Sequence, residues 1–224
     1  MRKKKYTDIL TLNKEGWDNL ANIYDENNPV QQTRLFKRFL ALLPEHGALL
    51  DAGCGTGLPL SSFLVKYGFD VTGIDLSRAM IDLASHHVPG GTFIEMSMTE
   101  MRWESEFNGV VASYSMLLLD PLHFKDAAER ISRALRPGGL FYLSLNENVD
   151  PAETMCDDAF IEIAGIPIYS RAYTEQEVTD TFGNAGMLVI EMDRRIITST
   201  LFGEEHMMEF LMQKDPSSSS SIPL

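Results

Sequence analysis

Between residues 48 and 145 the sequence alternates short apolar runs with helical stretches, and this alternation most restricts the folds open to the chain. Runs at 48–50, 69–74, 91–96, 107–113 and 140–145 have strand length. The stretches 58–67, 77–86 and 124–135 between them have helix length. Short apolar strands joined by helices of this length predict a parallel sheet covered on both faces. Two later runs, 187–197 and 206–213, lack a long helical crossover between them and are expected to pair antiparallel at one edge of the sheet. Two helices precede the first strand, at 13–24 and 30–43, with Pro29 just before the second. Another opens at Thr174. The expected class is therefore α/β, three layers deep.

A chain of 224 residues can bury such a core in one domain. That domain is read as 1–214 with N-terminal cap helices, and 215–224, which holds five consecutive serines, as a disordered tail. The net charge of -13 argues against a nucleic-acid partner, which would need a basic stripe. The one basic run, residues 2–5, is read as a solvated end. No stretch reaches the roughly 20 apolar residues of a membrane span. The N-terminus lacks the apolar core of a signal peptide. Cys54 and Cys156 alone make no disulfide framework. A cytoplasmic location with no membrane partner is expected.

The strongest chemical signal is Asp51-Ala52-Gly53-Cys54-Gly55-Thr56-Gly57, which ends the first strand and opens a helix. Glycines there let the backbone turn sharply and approach a ligand without an intervening Cβ. Ligands of open α/β sheets bind at the carboxyl ends of the strands. A dinucleotide fingerprint would place the third glycine one residue later. Asp51 would also oppose a pyrophosphate while suiting an ammonium group, so an amino-acid-bearing nucleoside fits better than a nicotinamide cofactor. Asp75 lies 24 residues beyond Asp51 at the end of an apolar run, placed to accept hydrogen bonds from two ribose hydroxyls. Ser77 is the better cap for the helix that follows.

Together with Gly73-Ile74-Asp75-Leu76-Ser77 and Leu135-Arg136-Pro137-Gly138-Gly139-Leu140, the glycine turn resembles the motifs of the class I S-adenosylmethionine (SAM)-dependent methyltransferases. The resemblance runs from about residue 17 to 212 and is closest to small members of the family. It implies a Rossmann-like, seven-stranded, mostly parallel sheet in the order 3-2-1-4-5-7-6, with an antiparallel strand at the edge. It implies SAM as cofactor. Asp51, Gly53, Gly55 and Gly57 would border its methionine portion, Asp75 its ribose and Leu76 its adenine. Ser97 and Met98 stand where the family usually has a Gly-Asp pair that holds the adenine amino group. Ser113 is a further expected cofactor contact. Asn108 replaces a usual Asp whose part is structural. Trp17 and Tyr24 resemble the aromatic residues of a cap helix; they are read both as cofactor contacts near a sulfonium and as part of a stripe with Leu20 and Ala21.

The acceptor side is less legible. A sulfonium methyl is already activated, so no fixed catalytic set is required. Tyr24, Tyr114, Asn146, Tyr169 and His206 are the candidates, Asn146 only for orienting an acceptor. The connection 151–171 is expected to carry one short helix over the acceptor, and residues before Asn13 are expected to matter little. No metal is expected, since neither cysteine has C-x-x-C spacing and His86 and His87 point apart on a helix. The expected activity is methyl transfer to a small molecule at O, N or C, by a monomer or homodimer. The alternatives are another SAM-consuming reaction, such as cyclisation or a lyase step, a non-catalytic SAM-binding protein, and a nicotinamide oxidoreductase.

Overall fold

The structure, a computed structural model, describes residues 8–23, 32–149, 159–199 and 203–217. Two helices come first, α1 (Ile9–Leu20) and α2 (Arg34–Leu42). The alternating core follows as β1 (Ala48–Ala52), α3 (Leu60–Lys66), β2 (Asp70–Asp75), α4 (Arg78–His87), β3 (Thr92–Glu95), β4 (Phe107–Ser113), α5 (Pro121–Ala134) and β5 (Leu135–Asn146). The chain then forms β6 (Phe160–Ile163), β7 (Ile166–Tyr169), α6 (Glu175–Asn184), β8 (Met187–Ser199) and β9 (Gly203–Lys214).

Seven strands make one sheet in the order β3-β2-β1-β4-β5-β9-β8. The first five are parallel. β9 runs against β5, and β8 pairs antiparallel with β9 at the edge. Side chains alternate between the two faces as the pleat requires. Leu49, Val111 and Tyr142 join Phe36 and Phe39 of α2 in one cluster. Leu50, Val110, Phe141 and Leu143 join Phe124 of α5 and Phe182 of α6 in the other. Each face is thus closed by helices. Asn108 is structural, its Oδ1 accepting from Ala48 N at 3.0 Å and Arg136 Nη1 at 3.3 Å.

Helix starts follow their caps. α6 begins as expected at Thr174, whose hydroxyl accepts from Glu177 N while Glu177 reaches back to Thr174 N. α2 begins later than the 30–43 pattern because Thr33 caps it, accepting from Phe36 N at 3.1 Å. α1 begins earlier, at Ile9, because Asp8 caps Leu10 N at 3.1 Å. Residues 8–12 are therefore part of the fold, with Leu12 buried, where the sequence carried no sign that residues before Asn13 would matter.

The connection after β5 also differs. Among its described residues there is a hairpin, β6–β7, instead of a helix. Ile161, Ile163, Ile166 and Ile168 are β-branched. Ala164 and Gly165 both have positive φ (50° and 80°), as a two-residue hairpin turn of the primed type demands. Turn chemistry and β-propensity outweighed the helical spacing of Phe160, Ile161 and Ala164.

α1 lies on this hairpin. Leu20 and Trp17 pack with Ile163 and Ile168. A Cβ on Gly16 would stand 2.3 Å from Ile168 Cδ1, so glycine permits the close crossing. Asn13 locks it. The side chain is buried, donates to Leu118 O (2.9 Å) and Tyr169 O (3.0 Å), and accepts from Tyr169 N (2.8 Å). Asn13→Ala strands these buried backbone groups and is expected to cost about 3 kcal/mol, each unsatisfied group costing about 1–3. Denaturant unfolding measures this, and a loss within error of zero would show that the clamp contributes nothing.

Candidate functional site

A cleft of about 830 Å3, counting its open mouth, lies at the carboxyl ends of β1, β2 and β4 beneath α1. Its floor is the glycine loop after β1. Gly53 N and Cys54 N both donate to Ile74 O, at 2.8 and 2.9 Å, which folds the loop over the end of β2. Gly53 has φ +83°, and a Cβ there would stand 2.3 Å from Ser115 Cβ and 3.1 Å from Met98 Cε. Ser115 is itself fixed, its hydroxyl donating to Ala52 O at 2.6 Å. Both backbone angle and space demand glycine at 53.

Asp75 forms one wall. Its Oδ2 accepts from Gly55 N at 3.0 Å and its Oδ1 from Ser77 N at 2.9 Å. One carboxylate thus sets both the glycine loop and the entry to α4, and each oxygen keeps lone-pair capacity. Burial pushes its pKa up, and the two backbone donors pull back. Ser77 caps α4, accepting from Met80 N at 3.1 Å.

α1 is fastened on both sides of the cleft. Toward α4, Asp18 Oδ1 accepts from Ser77 Oγ (2.7 Å) and Ala79 N (3.1 Å). Lys14 Nζ donates to Leu76 O (3.1 Å) and Glu95 Oε1 (2.6 Å). The Lys14–Glu95 pair is solvent-accessible and adds little stability. Toward the hairpin stands the buried Asn13 clamp. Leu10, Asn13 and Trp17 face the cleft from this helix.

Gly53, Gly55, Asp75, Leu76, Ser97, Met98, Ser113, Tyr114 and Trp17 all line the cleft. Tyr114 has φ 55°, a left-handed conformation seldom held by a non-glycine residue away from a constrained site. Ser97 lines the wall, but its hydroxyl is engaged with Thr99 N (3.2 Å) and Thr99 Oγ1 (2.8 Å), and its N–H goes to Glu100.

Other expected residues lie elsewhere. Asp51 is buried behind the loop, off the wall, with Oδ2 accepting from Ser61 Oγ at 2.6 Å. Gly57 is also off the wall: at φ +76° it packs on α4, where a Cβ would meet Val88 and Ala84. Tyr169 is buried against Phe160, and its backbone, not its phenol, serves the Asn13 clamp. Asn146 does not line the cleft; its Nδ2 donates to Glu205 Oε1 at 2.9 Å. His206 sits half-exposed on β9, away from the cleft. Tyr24 lies outside the described residues. Leu10, Asn13 and Ser115 were not anticipated, for an Asn within a helix and a Ser in a loop carry no sequence signal of burial. Among the described residues no cluster of His, Cys, Asp or Glu could hold a metal ion, and no helix is long and apolar enough to cross a membrane.

Comparison with known proteins points the same way. The family described as "Methyltransferase domain" matches residues 49–139. The YqeM protein of Bacillus subtilis (strain 168) is 31% identical over 155 residues, covering 65% of this chain and 62% of that protein. A dTDP-3-amino-3,4,6-trideoxy-alpha-D-glucopyranose N,N-dimethyltransferase of Streptomyces venezuelae is 32% identical over 99 residues, covering 43% of this chain and 41% of that one. The chain therefore spans less than two thirds of the length of these relatives. A SAM-dependent methyltransferase of Methanosarcina mazei has the same fold, with a TM-score of 0.71 at 18% identity over 82% of this chain and 98% of that one.

Burial pushes Asp51 up to about 7, with the Ser61 hydrogen bond opposing. A carboxyl group raised in the folded state loses stability as pH climbs from its unfolded value of 3.8 to its folded value of about 7. Asp51→Asn, which keeps an acceptor for Ser61, is expected to melt higher than wild type above about pH 7 and to converge with it below about pH 4. Thermal melts across pH check this; parallel curves would mean Asp51 ionises in the fold without cost.

Proposed function

We propose that the chain is a class I SAM-dependent methyltransferase, with SAM as cofactor, that transfers a methyl group to a small-molecule acceptor at O, N or C. One observation carries the reading: a half-buried carboxylate, Asp75, and a loop with no room for a Cβ meet in a single cleft roofed by α1. SAM brings a methyl already activated by its sulfonium sulfur. The chain's own task is to hold, orient and dry.

Asp75 accepts from the ribose hydroxyls with the lone pairs its two backbone donors leave. Leu76 and Met98 flank the adenine. Ser97, whose hydroxyl is engaged, leaves adenine recognition to the backbone and to packing. Gly53 and Gly55 give the methionine portion close approach to the main chain. Trp17 offers an aromatic face to the sulfonium and excludes water. Tyr114 stands at the end of β4 for the acceptor. A small-molecule acceptor is supported by the mostly apolar cleft and by the sugar-nucleotide methyltransferase among the relatives. The reading assigns no part to nucleic acid or membrane. The sparse cysteines support a cytoplasmic location, and the reading takes the protein to be a monomer or homodimer.

Product analysis separates this reading from its rivals. Incubated with SAM and a panel of hydroxyl, amine and activated-carbon acceptors, the protein is expected to form S-adenosylhomocysteine only when an acceptor is present. Methylthioadenosine formed from SAM alone would indicate lyase chemistry, and tight binding without any product would indicate a non-catalytic SAM-binding protein. Asp75→Ala, which removes two charge-assisted hydrogen bonds, is expected to weaken S-adenosylhomocysteine binding roughly 100-fold by calorimetry. Unchanged affinity would contradict its place at the ribose.

A further inference from the structure

Beyond the cleft, the carboxyl-terminal halves of β4, β5 and β8 and the amino-terminal half of the antiparallel β9 carry polar side chains in register on one sheet face. Ser113 pairs with Ser144, Ser144 with Glu209, and Glu209 with Asp193. One row on, Asn146 and Arg195 both pair with Met207. Cross-strand partners share a face, and residues two apart share it as well. This is the face covered by α2, on which Tyr142 and Leu211 also lie.

Most of the acids here have surface partners. Asp193 pairs with Arg34, Glu191 with Arg34 and Arg38, and Arg194 with Glu147 and Glu175. Arg195 differs. It pairs at 2.8 Å with Glu209, whose side chain is only 2% exposed. Its Nη2 donates to the Tyr114 hydroxyl at 3.3 Å, and Tyr114 lines the cleft. Glu209 also lies close enough to Tyr142 to raise that phenol's pKa, behind the larger effect of burial. A buried ion pair is a poor source of stability, because desolvating two charges offsets their attraction. It does fix a guanidinium in one place. Here the fixed guanidinium meets a phenol whose backbone is held in a left-handed conformation.

We propose that Arg195, anchored by Glu209, is a positioning residue that holds the Tyr114 phenol at the cleft to hydrogen-bond an acceptor bearing an O–H or N–H group. Describing that space as the acceptor's rests on the methyltransferase reading above. The Glu209–Arg195–Tyr114 row links the cleft to the β8–β9 hairpin and gives an edge hairpin a part in setting the acceptor's orientation. Charge balance within the row selects against a formally anionic acceptor at this point, since Glu209 already neutralises Arg195.

The test needs no known acceptor. Protein labelled with 13C at tyrosine Cζ reports its 7 tyrosines by NMR, and Tyr114→Phe identifies the Tyr114 signal. At fixed neutral pH, Arg195→Met is expected to displace that signal. Glu209→Gln displaces it less, because the guanidinium stays but loses its anchor, and Arg195→Lys moves it part of the way back toward wild type. Affinity for S-adenosylhomocysteine stays within about three-fold of wild type in all three. An unmoved Tyr114 signal in a folded Arg195→Met protein overturns the proposal. Should that variant not fold, unmoved signals in both Glu209→Gln and Arg195→Lys overturn it equally. Failure of the wild-type protein to bind S-adenosylhomocysteine would instead sink the proposed function, while the NMR result would still decide whether Arg195 holds Tyr114.

Discussion

The Asp75 carboxylate joins three elements that parallel-sheet geometry only brings near one another. It ends β2, receives the Gly55 N–H of the loop after β1, and receives the Ser77 N–H that opens α4. Removing it from water is costly, and its raised pKa reflects that cost. Backbone donors on both oxygens make the burial tolerable, and each donor is a fixed point of the cleft wall. The loop can take this path only because Gly53 tolerates φ +83° and leaves Ser115 its space. Loop, carboxylate and helix entry therefore form one unit, and the rest of the cleft is built outward from it.

α1 closes that unit by two different chemistries. On the α4 side its contacts are polar and partly solvated: Asp18 on Ser77 and Ala79, Lys14 on Leu76 O and Glu95. On the hairpin side they are buried: the Asn13 clamp, the Gly16 crossing and the Leu20–Ile163–Ile168 cluster. Solvated contacts are exchanged with water at little cost, whereas buried ones are not. The helix is thus held firmly to β7 and more lightly to α4, an asymmetry suited to a roof that must admit a ligand.

Much of this was legible in the sequence, for stated reasons. The β1–β5 alternation carried the fold because buried parallel strands are apolar and their crossovers helical. The two motifs around Gly53 and Asp75 marked the cleft wall because a tight turn and a carboxylate that accepts from two backbone donors each restrict residue type. What stayed hidden depends on long-range packing. Asn13 reads as an ordinary helical residue until β7 arrives from 156 residues away. The β6–β7 hairpin was obscured by apolar spacing that suits either period. Asp51 and Gly57 carry the motif's residue types, yet they support the loop from behind. Tyr169 and His206 are chemically able side chains near strand ends, and chemical ability says nothing of the direction in which a side chain points.

The central claim is that a single unit of loop, carboxylate and roof helix cradles the cofactor. A crystal structure of the complex with S-adenosylhomocysteine tests it most directly. The account predicts both ribose hydroxyls within hydrogen-bond distance of the Asp75 oxygens, adenine between Leu76 and Met98, and the ligand's sulfur beneath Trp17 of α1. Ligand bound outside this cleft, or a ribose that leaves Asp75 untouched, would contradict it.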